Sequence, residues 1–331
     1  MENIYLVLAF YIFTSIEDPQ REVKRWKRFL GELDATGRIY INEEGINAQM
    51  SIAKADASSF YEWFLEDSRF KETDIKVHHH PEQVFAKLTI KYRKQLVAMD
   101  KEYDLSQGGK HLSSEEWAKM LEERDENTLI LDVRNHYEWD VGHFEGTERP
   151  DFETFREFPQ YAEDLGKTRD PKKTRVMMYC TGGIRCELYS CLLKDQGFDE
   201  VYQLDGGVIK YGLEQGNKHW KGKLFVFDDR LVVPISSQEE GETISVCKQC
   251  NTKVDVYYNC ANMDCNELFL SCLDCATEKL GCCCDACVQA PRRRKFEPKE
   301  HPKPFRKLPF EEKAKMSLNA STPSKDVSSS Q

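Results

Sequence analysis

Arg175-Val176-Met177-Met178-Tyr179-Cys180-Thr181-Gly182-Gly183-Ile184-Arg185-Cys186 decides the fold of this chain. Arg175 to Tyr179 has the largely apolar composition of a strand in a parallel sheet buried on both faces. The strand ends directly at Cys180, a short glycine-containing turn follows, and a helix is predicted from about Cys186 to Gln196. Such a turn points successive backbone N–H groups inward as an anion nest, and the helix N-terminus adds positive potential. Arg185 contributes a permanent positive charge. Together these lower the thiol's pKa and make Cys180 a thiolate near neutrality, the reactive form of the residue. Thr181, Gly182, Gly183, Ile184 and Arg185 then form an anion loop fit for a persulfide or an oxygen-bearing adduct. The competing reading of Cys180 is a buried small hydrophobe. Cys186 opens the helix close enough to serve as a resolving thiol, or else is packing, and Cys191 is expected in the core.

Outward from this loop the chain alternates strand and helix. Ser113/Ser114 with Glu115/Glu116 offers a helix cap, Thr128 to Val133 is a second apolar strand, and Val201 to Leu204 a third. Residues 111–236 therefore read as an open α/β domain whose reactive loop lies at the carboxyl end of a strand, where such folds bind ligands. Residues 1–84 give the order βαββαβ of a ferredoxin-like domain. Strands are expected at Ile4–Phe13, Arg38–Ile41, Ile46–Ile52 and Ile75–His79. Helices are expected from Asp18-Pro19 to Asp34, broken by Gly37, and over Ala55–Asp67. The class is thus α/β and α+β, multidomain. A basic connector, 85–110, carries Lys87, Lys91, Arg93 and Lys94, with Gly108-Gly109 as a flexible joint. Its charges suit RNA phosphates, with Tyr92 available for stacking; they equally suit the solvated face of an interdomain strand. In His78-His79-His80, strand alternation sends neighbours to opposite faces, so a polar strand end is expected and not a metal site.

Of the 13 cysteines, ten lie between Cys247 and Cys287. They are Cys247, Cys250, Cys260, Cys265, Cys272, Cys275, Cys282, Cys283, Cys284 and Cys287. In a reducing compartment such crowding reads as metal binding. Four thiolates make a tetrahedral zinc site, and paired cysteines on tight turns supply them. Ten thiols would fill two such sites with two left over, so one or two structural zinc sites are expected, the ligand pairing is open, and iron–sulfur remains an alternative. Residues 237–290 form this module, too small for a core of its own, so metal would supply its folding energy. A basic tail, 291–331, is expected to be disordered. From Val288 onward it carries eleven Lys/Arg against five Asp/Glu in a chain of net charge -10. That suits phosphate contacts or a solvated tail.

Asp132-Val133-Arg134, Glu138, Gly142-His143, the cysteine loop and Gly206-Gly207 stand in the order and rough spacing of the rhodanese superfamily, which this domain resembles. Four residues separate Cys180 from Arg185. The related phosphatases place five there, so the shorter loop suits a sulfur-sized group. Asp132, Arg134, Glu138 and His143 are expected to form a polar network bordering the pocket, with Arg134 as an anion ligand and the others equally suited to an ion-paired scaffold. More specific still are Gly37-Arg38-Ile39-Tyr40-Ile41-Asn42-Glu43-Glu44-Gly45-Ile46-Asn47-Ala48, Gly142-His143-Phe144-Glu145-Gly146, Phe155-Arg156-Glu157-Phe158-Pro159, Cys180 through Glu187, and Asn259-Cys260-Ala261-Asn262 leading to Cys265-Asn266. With these the chain, to about Cys287, resembles the rhodanese-domain tRNA uridine hydroxylases. The resemblance implies oxygen-dependent conversion of wobble uridine in tRNA to 5-hydroxyuridine. Cys180 would be essential, dioxygen the co-substrate and tRNA the partner. The helix segment Leu188-Tyr189-Ser190-Cys191 is bulkier than the family pattern, and the tail lies outside it.

Composition bounds the rest. At 331 residues, 40% apolar and 31% charged, two or three globular domains are expected. The apolar run Ile4–Phe13 is too short to span a bilayer and lacks a signal-peptide pattern, so a cytoplasmic protein without membrane association is expected. No dinucleotide-binding glycine motif or two-His-one-carboxylate set is legible, which leaves the redox cofactor unassigned. Two other functions fit the residues: a sulfurtransferase working through a Cys180 persulfide, and a non-catalytic zinc module that binds an anionic partner.

Overall fold

The computed structural model describes residues 4–97, 103–151 and 157–304. The tail from 305 and the expected match at Phe155-Arg156 lie outside the described residues. Strands β1 (Tyr5–Phe13), β2 (Ala35–Asn42), β3 (Gly45–Ala53), β4 (Lys76–His80) and β5 (Leu88–Tyr92) form one sheet in the order β4-β1-β3-β2-β5. Helices α1 (Pro19–Leu30) and α2 (Ala57–Glu66) cover one face of it. The Asp18 side chain accepts the Arg21 N–H and Pro19 opens the first turn, so α1 starts where its capping chemistry dictates. It buries Val23, Trp26 and Leu30, with Trp26 packed edge-on against Trp63, Phe64 and Phe70. The helix ends at Gly31, earlier than the sequence suggests, and Gly37 lies inside β2. In the β2–β3 turn, Asn42 Oδ1 accepts the N–H groups of Glu44 and Gly45 at 3.0 and 3.1 Å. A Cβ on Gly45 would fall 1.9 Å from the Ile12 carbonyl oxygen, which restricts that position to glycine.

The segment expected as a connector begins with a strand. β5 pairs in parallel with β2 and turns Ile90 into the core, leaving Lys91 exposed. Cations along an outer strand keep an unpaired edge soluble, the solvated-strand alternative that the sequence left open. Gly108-Gly109 is no free joint either. A Cβ on Gly109 would meet the Val201 carbonyl oxygen at 2.9 Å, and Gln203 donates to the Gly109 oxygen.

The second unit runs β6 (Lys110–Leu112), α3 (Ser114–Glu122), β7 (Thr128–Asp132), α4 (His136–Trp139), β8 (Gly142–Phe144), α5 (Phe158–Thr168), β9 (Arg175–Tyr179), α6 (Ile184–Asp195), β10 (Glu200–Leu204) and α7 (Gly207–Gln215). Its sheet, β6-β10-β9-β7, is all parallel, with apolar clusters on both faces. Ser113 and Glu116 make the expected capping box on α3. The bulk of α6 is absorbed in that core, where Tyr189 stacks on Phe158 at 3.9 Å. Strand β11 (Trp220–Gly222) pairs with β8, and β12 (Leu224–Phe225) with β13 (Val232–Val233). The cysteine-rich segment holds β14 (Tyr257–Asn259), β15 (Leu268–Leu270), α8 (Leu273–Glu278) and α9 (Asp285–Val288). Its Tyr257 hydroxyl donates to the Tyr137 carbonyl at 2.7 Å, docking it on the α/β unit. Among the described residues no helix is long and apolar enough to cross a membrane.

Candidate active site and metal centres

Cys180 sits at the carboxyl end of β9 with its side chain fully buried, and the Gly183 N–H points at its Sγ from 3.1 Å. The start of α7 closes the loop from the other side. Val208 N–H donates to the Cys180 carbonyl and Ile209 N–H to that of Thr181, both at 3.0 Å. Gly207 has φ +66, and a Cβ there would lie 2.6 Å from the Cys180 oxygen and 2.7 Å from Gly183 N. The Gly206-Gly207 pair is therefore a consequence of how tightly α7 packs on the reactive loop.

Charge is fixed around the thiol by two buried ion pairs. Arg185 donates through both terminal nitrogens to Glu138 at 2.8 Å each, and Thr181 Oγ1 donates to the same carboxylate at 2.6 Å. Glu138 also accepts from Asn135 N and Nδ2 in the capping box of α4. Burial alone would raise its pKa, but Arg185, Arg134 and Thr181 overcome that and hold it at about 2. The second pair joins Arg134 to Asp132, with Nε and Nη2 at 2.9 and 2.7 Å. Arg134 also donates to the Gly142 carbonyl, and Tyr179 OH donates to Asp132. The Arg134 guanidinium lies over the Tyr179 and Trp220 rings.

Burial also works against a Cys180 thiolate. A hydrogen bond from the Cys186 thiol, the Arg185 charge and the backbone N–H groups of Arg185 and Cys186 outweigh it and bring the pKa down to about 6. Cys186, buried beside a thiolate, is pushed well above the usual thiol range and stays protonated as the donor. Cys191 packs in the core with its thiol aimed at the Glu187 carbonyl.

Above the loop lies a cleft of about 540 Å³. Thr181, Gly182, Ile184 and Arg185 form its floor, and the open face of the N-terminal sheet forms its opposite wall. Asp132, Arg134 and Glu138 form an ion-paired network beneath the loop, one of the two arrangements the sequence left open, and none of them or His143 is among the residues that line the cleft. Their polar groups bond to one another, to Arg185 or to the backbone beneath the loop, while His143 stacks on Trp139 at 3.8 Å. In their place Tyr11, Arg38, Tyr40, Asn47 and Gln49 line the cleft, alternate residues of β1, β2 and β3 that share one sheet face. Sequence reasoning missed them as site residues. On β2 and β3 their signal was period-two polarity opposite an apolar face, whereas β1 carries none. Of the expected RNA-contact residues only Arg93 reaches the cleft, over the Tyr40 ring at 4.8 Å. Lys87, Lys91 and Lys94 are exposed outside it. Among the described residues no carboxylate lines the cleft, whereas Arg38, Lys76, Arg93 and Arg185 do.

Eight of the ten module cysteines gather into two fours, Cys247-Cys250-Cys272-Cys275 and Cys260-Cys265-Cys283-Cys287, with all Sγ atoms of a group within 4.8 Å of one another. The sulfurs of Cys250 and Cys272, Cys265 and Cys283, and Cys283 and Cys287 are each 3.7 Å apart. Tetrahedral zinc with Zn–S of about 2.3 Å requires edges of about 3.8 Å, so these cages fit the ion. The two remaining thiols, Cys282 and Cys284, stand outside both groups, and no residue of His78-His79-His80 belongs to a metal-capable group among the described residues.

Comparison with known proteins agrees with this architecture. Family models match residues 5–96 (UPF0176 acylphosphatase-like domain), 113–214 (rhodanese-like domain) and 221–288 (rhodanase C-terminal). The tRNA uridine(34) hydroxylase of Protochlamydia amoebophila is 53% identical over 306 residues, 92% of this chain and 95% of that protein. That of Chlamydia abortus is 52% identical over 93% of this chain and 94% of its own. Among solved structures, a rhodanese-like domain from Anabaena sp. aligns with 34% of this chain and 78% of its own, at 19% identity and a TM-score of 0.28. On these identities and this coverage, the chain belongs to the tRNA uridine(34) hydroxylase family.

Proposed function

We propose that this protein hydroxylates C5 of the wobble uridine in tRNA, with dioxygen as oxygen source and Cys180 as the reactive group. The observation that carries this reading is a thiol held at about pKa 6 beneath a cleft walled by cations and aromatic rings, without a carboxylate among the described residues. A thiolate there meets an extruded base, and the cations meet the flanking phosphates. Cys180 acts either by adding to the uracil ring, which makes C5 electron-rich, or by carrying the oxygen as an adduct in the loop. The N–H groups of the loop and the Arg185 charge stabilise negative charge at that point in both cases.

The RNA track extends beyond the cleft. Arg21, Lys24, Lys27 and Arg28 form an exposed face of α1 with no ion pair among the described residues. The helix packs against β5, whose Lys91 is exposed and is followed by Arg93 and Lys94 at the strand's end. Binding of tRNA through such a surface weakens with salt as counterions are released. The two cysteine cages hold structural zinc, whose part is the folding of the C-terminal module and its docking through Tyr257. Since the substrate is tRNA, the work is placed in the cytoplasm.

Mass spectrometry of tRNA nucleosides from cells with and without the gene tests the reading. Loss of 5-hydroxyuridine and its derivatives is expected. Loss of thiolated nucleosides would assign sulfur transfer through a Cys180 persulfide instead, and no change would leave a binding role.

A further inference from the structure

We infer that Tyr11, Glu187 and His111 form the route by which the proton displaced from uridine C5 leaves the reaction centre. The inference rests on the hydroxylation reading above. When oxygen is delivered to C5 as an electrophile, by either route, the C5 hydrogen remains on the carbon and must leave as a proton. Among the described residues the lining of the cleft holds no carboxylate and no histidine, and its lysine and arginine side chains offer only N–H groups. Among these lining residues, a carboxylate acceptor is reached through a hydroxyl.

Tyr11 is placed for this. It projects from β1 across the domain boundary and lines the cleft. Its hydroxyl oxygen lies 2.8 Å from where a Cβ on Gly183 would stand, directly against the reactive loop. That hydroxyl donates to Glu187 Oε1 at 2.7 Å, and the same carboxylate oxygen is 3.1 Å from His111 Nε2. The Glu187 side chain is 14% exposed and that of His111 49% exposed, so three groups in line connect the loop to solvent. Gln203 Nε2 holds the second Glu187 oxygen at 3.4 Å. Burial and the Glu187 carboxylate push Tyr11 ionisation far up, so the phenol passes a proton on without resting as phenolate. Lys76, with Nζ 5.4 Å from the Tyr11 ring, faces the same residue and carries no acceptor.

In the step itself the C5–H bond breaks and its electron pair restores the C5–C6 double bond. Where Cys180 has added at C6, the C6–S bond breaks and its pair returns to the thiolate. Where oxygen has come from a loop adduct, the pair fills the electron-deficient C6 left by its transfer to C5. The proton moves to the Tyr11 oxygen as the Tyr11 proton moves to Glu187. Glu187 then yields a proton to His111 Nε2, which exchanges it with water. No electrons enter or leave along the route.

The test uses full-length protein in cell extract, which supplies the reductant, and tRNA labelled with tritium at uridine C5. Tyr11→Phe keeps the ring and removes the relay. Tritium release and 5-hydroxyuridine formation are expected to fall about 10²-fold in maximal rate, with KM for tRNA little changed. An isotope effect on C5–H cleavage should emerge that wild type lacks. Glu187→Gln should behave alike, and His111→Gln should lose several-fold and be rescued by added imidazole. Unchanged Cys180 alkylation in these variants separates a proton route from a structural role. A Tyr11→Phe enzyme with the wild-type rate overturns the inference, as does a loss matched by equal loss of Cys180 alkylation. Wild-type protein that forms no 5-hydroxyuridine overturns the hydroxylation reading and, with it, this route.

Discussion

The chain uses cysteine twice, and the two regions treat the thiol in opposite ways. In the α/β unit Cys180 has one thiol neighbour, Cys186, and otherwise backbone N–H groups and the Arg185 charge. In the C-terminal module each of eight cysteines has three others within 4.8 Å. A single thiolate stabilised by donors keeps its lone pairs free for an electrophile. Four thiolates facing one centre repel one another until a dication neutralises them, and their lone pairs are then committed. Neighbour number, more than burial, separates nucleophile from ligand here, since Cys180, Cys260 and Cys283 are all buried.

The largest expected effect lies on the ligand side. Cys260→Ser removes a member of one cage, and the protein is expected to drop from two zinc ions per chain to one by elemental analysis. Because zinc binding in such modules contributes on the order of 10 kcal/mol, that half of the module should lose protection from proteolysis. Cys284→Ser, outside both cages, should leave metal content unchanged. Equal zinc loss in both variants would break the pairing into two fours. Next comes the nucleophile. Cys180→Ser should lower 5-hydroxyuridine formation by about 10⁴-fold or more while the fold and both zinc ions are retained. Residual activity near wild type would remove Cys180 from the chemistry altogether.

The same contrast explains what could be read without coordinates. The reactive loop was legible because its meaning is local: a strand, a cysteine, a tight turn and an arginine lie within eleven residues. The βαββαβ order and the cap at Asp18 were legible for the same reason. The cages were countable but not pairable, since Cys247-Cys250 joins Cys272-Cys275 across a hairpin while Cys260-Cys265 joins Cys283-Cys287. The cleft was illegible. Tyr11, Arg38 and Gln49 become site residues only when the open face of one sheet is laid against the loop of another domain. Polar residues on a half-buried strand carry no mark of what they will face. Arg134 and Asp132 show the converse: sequence leaves an anion ligand and an ion-paired scaffold both open, and only the fold shows the two charges satisfying each other under the loop.

A third prediction sharpens how the nucleophile is held. Glu138→Gln keeps the shape of the side chain but leaves Arg185 buried without its counter-ion. Removing one partner of a buried pair costs about 3 kcal/mol, read as a lower urea midpoint with an unchanged slope. The pH dependence has a definite sign. Glu138 titrates at about 2 in the folded protein against roughly 4.3 unfolded. Its contribution is therefore complete above pH ~4.3 and lost as pH falls toward 2. The Gln variant should show a shallower decline in stability across that acid window. An identical decline in both would mean that Arg185 finds another anion.

The smallest effect tests the one thiol–thiol contact that the reactive region keeps. Cys186→Ala removes the S–H donor and leaves the Arg185 charge and the backbone N–H groups in place. Alkylation of Cys180 should be half-maximal near pH 6 in the wild type, rising with pH as the thiolate forms. In the variant the midpoint should move up by about one unit, which at pH 7 slows alkylation only about twofold. If the midpoint stays near 6, Arg185 and the loop N–H groups suffice, and Cys186 is packing. A midpoint at the ordinary thiol value would instead make the neighbouring thiol the dominant donor, so that even the reactive cysteine would depend on a second sulfur.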